Sequence, residues 1–489
     1  MITVGLLRFG LDLPEQRVAT VLEDGWGLPI AQSTVSRLST EFLVRWRMLS
    51  EERLPPWVAS LGPWVVQIDG TVVVGSPVTF RAREAGTGAT LWAEQLEAES
   101  KPEVVRFLRA LRGRFGAPAL LLRDLSATLR EAAAEVYPEV PQGEDHWHFL
   151  STIGPVILVD HEPLRKGLLA GDALALLAQW SRRLPTEGRT LDDLERVWVR
   201  LALEWIDAAR LHAGGFPWRL PYLEVARRLR RVEGWSEALV RAGAARNVGV
   251  PEVAELRGKV RTVLARESVS PPLGRLLAAS ECWEELRRAM RVERGRRSRE
   301  DLAPLAVPDV ARVRREIDEV GRRFSARGEW AEAIWGEVVK RFEEHAPYLW
   351  PVVPGRNEVV RSTVALERAH RDDRHRIRRR TGQSDTGEAM GEMGSLLAFW
   401  SNARCERFVR EGLAGVNLWE AFAQQDPREV RRRMAALPRE GRRPRVTVAR
   451  GKTEGRLAAF VELLNGSGPL EPRLSAWAAS VGSEGLQPL

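Results

Sequence analysis

Apolar residues recur at helical spacing through the first sixty positions and at strand spacing immediately after. Val18, Val21 and Leu22 share one face of a helix over Pro14–Leu22. Asp24-Gly25-Trp26-Gly27 reads as a turn. Val35, Leu38 and Phe42 then share a face of a second helix beginning near Ile30. Two short helices joined by a glycine-containing turn form a helix-turn-helix pattern, for which an ordinary helical hairpin is the alternative. From residue 62 the period changes. Pro63–Gly70, Thr71–Phe80 and Thr90–Leu96 read as three strands of a meander. An amphipathic helix over Lys101–Phe115 follows, with Val104, Val105, Leu108 and Leu111 on one side. Pro118–Asp124 is a buried strand, and Ser126 caps a helix running to Tyr137. Val140–Gly143 is a short last strand before a helix that carries Asp145, His146, Trp147 and His148.

The next stretch, 161–350, is almost wholly helical in pattern, and its tryptophans sit among aliphatic residues as core packing does. Further helices are expected around Glu367 and over Gly394–Val409. Residues 426–489 carry 12 basic against 7 acidic side chains, and the last twenty positions have the Gly, Ser and Pro content of a weakly ordered tail.

Composition narrows the class. The chain has 489 residues, 44% hydrophobic and 29% charged, which is globular. It is long enough for several cores. No apolar run approaches the ~18 residues that span a bilayer, and the N-terminus acquires acids too early for a secretory signal. The only cysteines are Cys282 and Cys405, too few for a zinc ribbon or an iron–sulfur cluster. No membrane association and a reducing, cytoplasmic setting are expected. The net charge is +8, with only five lysines among 74 basic residues. A GC-rich coding sequence also favours arginine, but it does not explain local clustering. A basic chain with arginine concentrations suits a polyanion such as DNA. On that reading Gln32, Ser33, Thr34, Ser36 and Arg37, on the second helix, are candidates to meet phosphates and base edges. The run Arg291–Arg299 reads as an exposed basic loop.

Two acids stand out because each closes an apolar strand: Asp69 and Asp124. Ligands gather at the carboxyl ends of strands in open sheets. If the two strands are adjacent and parallel, the carboxylates meet at one edge; otherwise each is an ordinary turn aspartate. Paired carboxylates are hard oxygen ligands that select Mg²⁺ or Mn²⁺. Glu367 is the candidate third acid, with Glu388 and Glu392 as alternatives. Helical spacing puts Glu367, His370, Arg371, Arg374 and Arg378 near one face, and Glu367–Arg380 holds seven arginines against three acids. That layout suits a phosphate chain, although a solvated charged helix reads the same way. No P-loop, dinucleotide-binding, nucleophile-elbow or zinc-protease motif occurs.

Three segments, QIDGT (67–71), LLLRDLSATLREAAAEVYPEVPQGEDHWHF (120–149) and LERAHRDDRHRIRRRTG (366–382), together resemble bacterial insertion-sequence DDE transposases of the Mutator-like type. The resemblance covers about 61–160 and 350–405. It implies an α/β fold: an RNase H-like mixed sheet interrupted by a large all-α insertion, with the helix-turn-helix in front. The implied layout is a DNA-binding region (1–60), first core part (61–160), helical insertion (161–350), second core part (351–425) and basic tail (426–489). The resemblance makes Asp69, Asp124 and Glu367 catalytic ligands of Mg²⁺ or Mn²⁺, with Asp145 and His148 as accessory residues. Arg371, Arg374 and Arg378 become DNA contacts. The residues before Glu367, Thr363-Val364-Ala365, replace the asparagines common in that family. The expected partners are transposon-end and target DNA and a second copy of the chain, in a nucleoid-associated cytoplasmic setting. The alternative is a non-enzymatic DNA-binding regulator derived from a transposase.

Overall fold

The computed structural model describes residues 1–72, 76–170, 173–184, 191–212, 215–292, 304–353, 355–383 and 385–437. The chain begins with a short helix, α1 (Ile2–Gly5), that continues as a π-turn over Leu6–Gly10. Helices α2 (Glu15–Trp26) and α3 (Gln32–Ser60) follow. Val4, Val18, Leu22 and Val35 pack together as a small separate cluster. The second helix is much longer than the short helix of a helix-turn-helix pattern. It continues for 29 residues because Phe42, Trp46, Leu49, Leu54 and Trp57 extend its buried stripe into the main core. Residues 1–60 are therefore not a detached two-helix module. Only α2 and the first turns of α3 stand apart.

Five strands form one mixed sheet: β1 (Val65–Thr71), β2 (Val78–Glu84), β3 (Thr90–Leu96), β4 (Leu120–Arg123) and β5 (Gln142–Glu144). Their spatial order is β3-β2-β1-β4-β5. The first three pair antiparallel, and β4 and β5 add in parallel beside β1. Along the chain the elements follow the sequence the pattern predicted: three strands, helix, strand, helix, strand. Parallel addition needs a crossover, and α4 (Lys101–Phe115) and α5 (Ala127–Val136) supply both. They cover one face, where Phe80 meets Phe107 edge-on at 4.7 Å. Alternation along β1 sends Gln67 and Asp69 to the other face. There Gln67 Nε2 donates to the Ser362 carbonyl at 2.7 Å.

Helix α6 (His146–Ile157) leaves the sheet and opens a second core. That core is built by α7 (His161–Leu169), α8 (Ala173–Ser181), α9 (Leu191–Ala208), α10 (Pro221–Ala245), α11 (Pro251–Ala265), α12 (Ser270–Ala289), α13 (Val307–Ser325) and α14 (Glu329–Leu349). The helical core thus starts at Phe149 rather than at residue 161, because α6 buries Phe149, Leu150, Ile153 and Ile157 in it. One two-residue ribbon interrupts the helices, β6 (Leu305–Ala306) paired with β7 (Glu358–Val359). The chain then returns to the sheet through α15 (Val364–Thr381) and α16 (Gly387–Trp400). Phe399 and Trp400 of α16 join Phe42 and Trp46 of α3 in an aromatic cluster on the second face. Helices α17 (Leu418–Gln424) and α18 (Pro427–Ala436) pack on α3, where Arg433 pairs with Glu51 at 2.7 Å. The start of the expected basic tail is therefore a docked helix. The rest of that tail and residues 293–299 of the arginine-rich run lie outside the described residues. No described helix is long and apolar enough to cross a membrane.

Candidate active site

Asp69 lies within β1, two residues before its end, and Asp124 follows β4 directly. The parallel register pairs Gln67 with Leu122, so two residues on it brings Asp69 beside Asp124. Asp124 Oδ1 also accepts from the Ser126 backbone N–H at 2.8 Å, and Ser126 caps α5. The residue both makes the turn and faces the sheet edge. The next residue along β1, Gly70, is held close: a Cβ there would come 3.0 Å from Glu99 Oε2, Phe80 and Val78.

Glu367 arrives on α15, which packs on the face of β1 that carries Asp69. Leu366, His370, Asp373, Ile377 and Arg380 form the buried stripe of this helix. Glu367, Arg371, Arg374 and Arg378 fall on the neighbouring, more open stripe. Arg374 Nη1 donates to Thr71 Oγ1 at 2.8 Å, which ties that stripe to the end of β1. His370, read from the sequence as a member of the open face, is instead buried under the site. It supports the backbone of Asp69, and its imidazole is held well below its ordinary pKa by burial and by the charges of Arg81 and Arg374. Glu388 and Glu392 are not substitutes for Glu367. They line a separate cleft with Arg8, Gln32 and Arg380.

Asp145 and His148 complete the arrangement. Asp145 is fully buried and caps α6 by accepting from the His148 N–H at 2.8 Å. Its other oxygen accepts from the Thr363 N–H and, at 3.0 Å, from the Thr363 hydroxyl, at the start of α15. Burial works against its charge, but these donors and His148 hold it below the usual carboxylate range. The His148 ring stands between two acids, Nδ1 3.3 Å from Asp145 Oδ1 and Nε2 3.3 Å from Glu367 Oε1. Burial opposes its charge, yet the contacts with Asp145 and Glu367 raise its pKa to about 9.

The carboxylates feel one another. Asp69 is pushed up to about 8, first by burial and then by the charges of Asp124 and Glu367. Glu367 is raised by burial and by Asp145 and Asp124, against His148 and Arg371. Among the described residues no three His, Cys, Asp or Glu side chains already stand together as an ion-holding group. Sequence reasoning missed Glu99. Burial and Asp124 raise its carboxyl, which bonds to the Ser126 side chain. Its only sequence signal is its place just before an amphipathic helix.

The residues proposed to meet DNA divide into two groups. Arg371 and Arg378 are exposed on α15, and Arg374 is half-buried. Gln32, Ser33 and Arg37 are exposed at the start of α3, with Thr34 and Ser36 half-buried. Asp12, just ahead of α2, pairs with Arg376 at 2.8 Å and Arg380 at 3.2 Å on α15.

No family model matches the chain, and no curated protein matches it. Among solved structures, the Drosophila P element transposase strand transfer complex is similar at a TM-score of 0.31 and 11% sequence identity, covering 84% of this chain and 91% of that chain.

Proposed function

We propose that the protein is a DNA transposase of the DDE type, cutting and joining DNA ends by metal-dependent phosphodiester displacement on an RNase H-like core. What supports this reading most is that Asp69 and Asp124 lie side by side on adjacent parallel strands, and that Glu367, from a distant helix, is near enough for the three charges to act on one another. The strand order, with three antiparallel strands and two parallel additions, supports the core assignment.

The donor set fits Mg²⁺ or Mn²⁺, since it is made of hard carboxylate oxygens. The raised pKa of Asp69 comes first from burial and then from repulsion by Asp124 and Glu367, and a divalent cation would offset both. Asp69 and Asp124 would hold such ions from the strand ends, and Glu367 from the helix. When bound, the ions supply Lewis acidity at both the attacking and the leaving oxygen. His148, charged at neutral pH, keeps Glu367 in place while Asp145 fixes the ring. Arg371, Arg374 and Arg378 bind the phosphate chain alongside the acids, and the start of α3 holds duplex DNA further out. Two ends must be held at once, so the working form contains at least two copies.

The test uses duplex DNA from the regions flanking the coding sequence, with Mg²⁺ or Mn²⁺. Wild-type protein should nick it and join the new 3′ ends to a second duplex. Asp69→Asn and Asp124→Asn should lose cutting by at least about a hundredfold, the upper end of what losing a mere outer-shell partner of a metal site costs, and retain binding. Full cutting by both variants would remove the assignment. Binding without any cutting by the wild type would leave a DNA-binding regulator.

A further inference from the structure

Helices α12 and α13 run side by side and enclose a groove of about 620 Å³ on the surface of the helical region. Six arginines line it: Arg288, Arg291, Arg312, Arg315, Arg322 and Arg323. Only three acids do, Glu285, Glu316 and Glu319, so the lining has a surplus of positive charge. The acids are shared rather than matched. Glu316 lies between Arg291 (2.7 Å) and Arg312 (3.0 Å). Glu319 is shared by Arg322 and Arg323, and Arg323 also reaches Glu285 at 2.9 Å. Exposed ion pairs of this kind contribute little energy, so they orient guanidinium groups without retiring them. Arg288 and Arg315 are exposed and have no acidic partner among the described residues.

The position of the groove matters as much as its charge. Arg361 Nη1 donates to the Met290 carbonyl at 2.8 Å, directly after the end of α12. At the start of α13, β6 pairs with β7, which leads into Arg361 and Thr363. The near end of the groove therefore abuts the segment that delivers Glu367. From Arg312 to Arg323 is eleven residues, about 16 Å along a helix, or roughly five base-pair steps at 3.4 Å each. Guanidinium forks match phosphate oxygens in pairs.

We infer that the α12–α13 groove is a second DNA-binding surface, one that grips the backbone of the duplex next to the cut position. It reads phosphates and carries no base recognition. The role beside the cut rests on the transposase reading above, but the binding itself needs neither the acids nor a metal ion.

The experiment compares two full-length double variants that remove equal charge from exposed helix positions. Arg288→Gln/Arg315→Gln changes the groove, and Arg241→Gln/Arg261→Gln changes α10 and α11. Each is titrated with a fluorescent 30-base-pair duplex in EDTA over a range of NaCl, with circular dichroism to confirm folding. The groove pair should weaken binding at least fivefold more than the control pair. It should also reduce the slope of log affinity against log salt by about 2, near 0.9 per lost phosphate contact. Equal behaviour of the two variants, or an unchanged slope, overturns the inference. The same titration in an Asp69→Asn background separates the two readings. Loss of cutting belongs to the acids, whereas the change in slope belongs to the groove and is expected in either background.

Discussion

The Thr363 hydroxyl donates to Asp145 Oδ2 at 3.0 Å across 218 residues of chain. The same carboxylate caps α6 through the His148 N–H. One buried acid therefore fixes the start of two helices, one carrying His148 and the other Glu367. Helix caps contribute about 1 kcal/mol each, and removing one partner from a buried charged network costs more. Asp145→Ala should lower the unfolding free energy by about 2–4 kcal/mol in a urea titration. Asp145→Asn keeps an acceptor for one cap and should lose less stability. If the proposed transposase activity holds, it should still impair cutting, because the charge that orients the His148 ring is gone.

Part of this geometry was legible in the sequence. Apolar strands ending in Asp69 and Asp124 put both acids at one edge only if the strands were adjacent and parallel, and the register of β1 against β4 meets that condition. Glu367 was legible because it begins an arginine-rich helix. What periodicity could not show was which side of that helix turns inward. The run Arg371-Asp372-Asp373-Arg374 looks uniformly exposed, yet Asp373 is buried against Arg81, itself 1% exposed. A buried pair drawn from β2 and α15 leaves no mark on the hydrophobic pattern. Long-range contacts also decided the length of α3, whose continuation is set by aromatic packing on α16.

Arg81 offers a measurable consequence. Its guanidinium pairs with Asp373 at 3.1 Å and also donates to Thr90 Oγ1 and the Ala398 carbonyl. Removing either charge alone leaves the other buried without its partner. Arg81→Met and Asp373→Leu should each cost about 3–5 kcal/mol in denaturant unfolding. The double variant should cost clearly less than the sum, since it removes both charges. Simple additivity would mean that the pair is not coupled.

Asp69 should behave as a site acid does when it is strained by its neighbours. Its pKa is about 8 in the folded protein, above the ordinary carboxylate value of 3.8. The folded state then binds more protons than the unfolded state between those values, so stability from this group falls as pH rises through that window. Asp69→Asn should therefore raise the melting temperature at pH 8 in EDTA. Added Mg²⁺ should raise the melting temperature of the wild type and leave the variant nearly unchanged. A variant that melts below the wild type in EDTA, with the same response to Mg²⁺, would contradict the strained-acid picture.

Two histidines, two residues apart on α6, should titrate in opposite directions. His146 is fully buried, with Nε2 2.7 Å from the Leu349 carbonyl, and burial lowers its pKa to about 4. Its folded value lies below the unfolded 6.5, so its contribution is complete above about pH 6.5 and is lost as pH falls through 4. For one group with that shift the loss is on the order of 3 kcal/mol. His148 has the opposite sign. Its pKa of about 9 lies above the unfolded value, so its contribution is complete below about pH 6.5 and fades as pH rises through 9. Urea midpoints measured in EDTA from pH 4 to 10 should show both limbs. His146→Gln should flatten the acid limb relative to wild type, because the amide cannot gain a proton there. His148→Gln should flatten the alkaline limb and leave the acid limb alone. A single variant that flattens both limbs would show that the two rings titrate as one unit rather than separately.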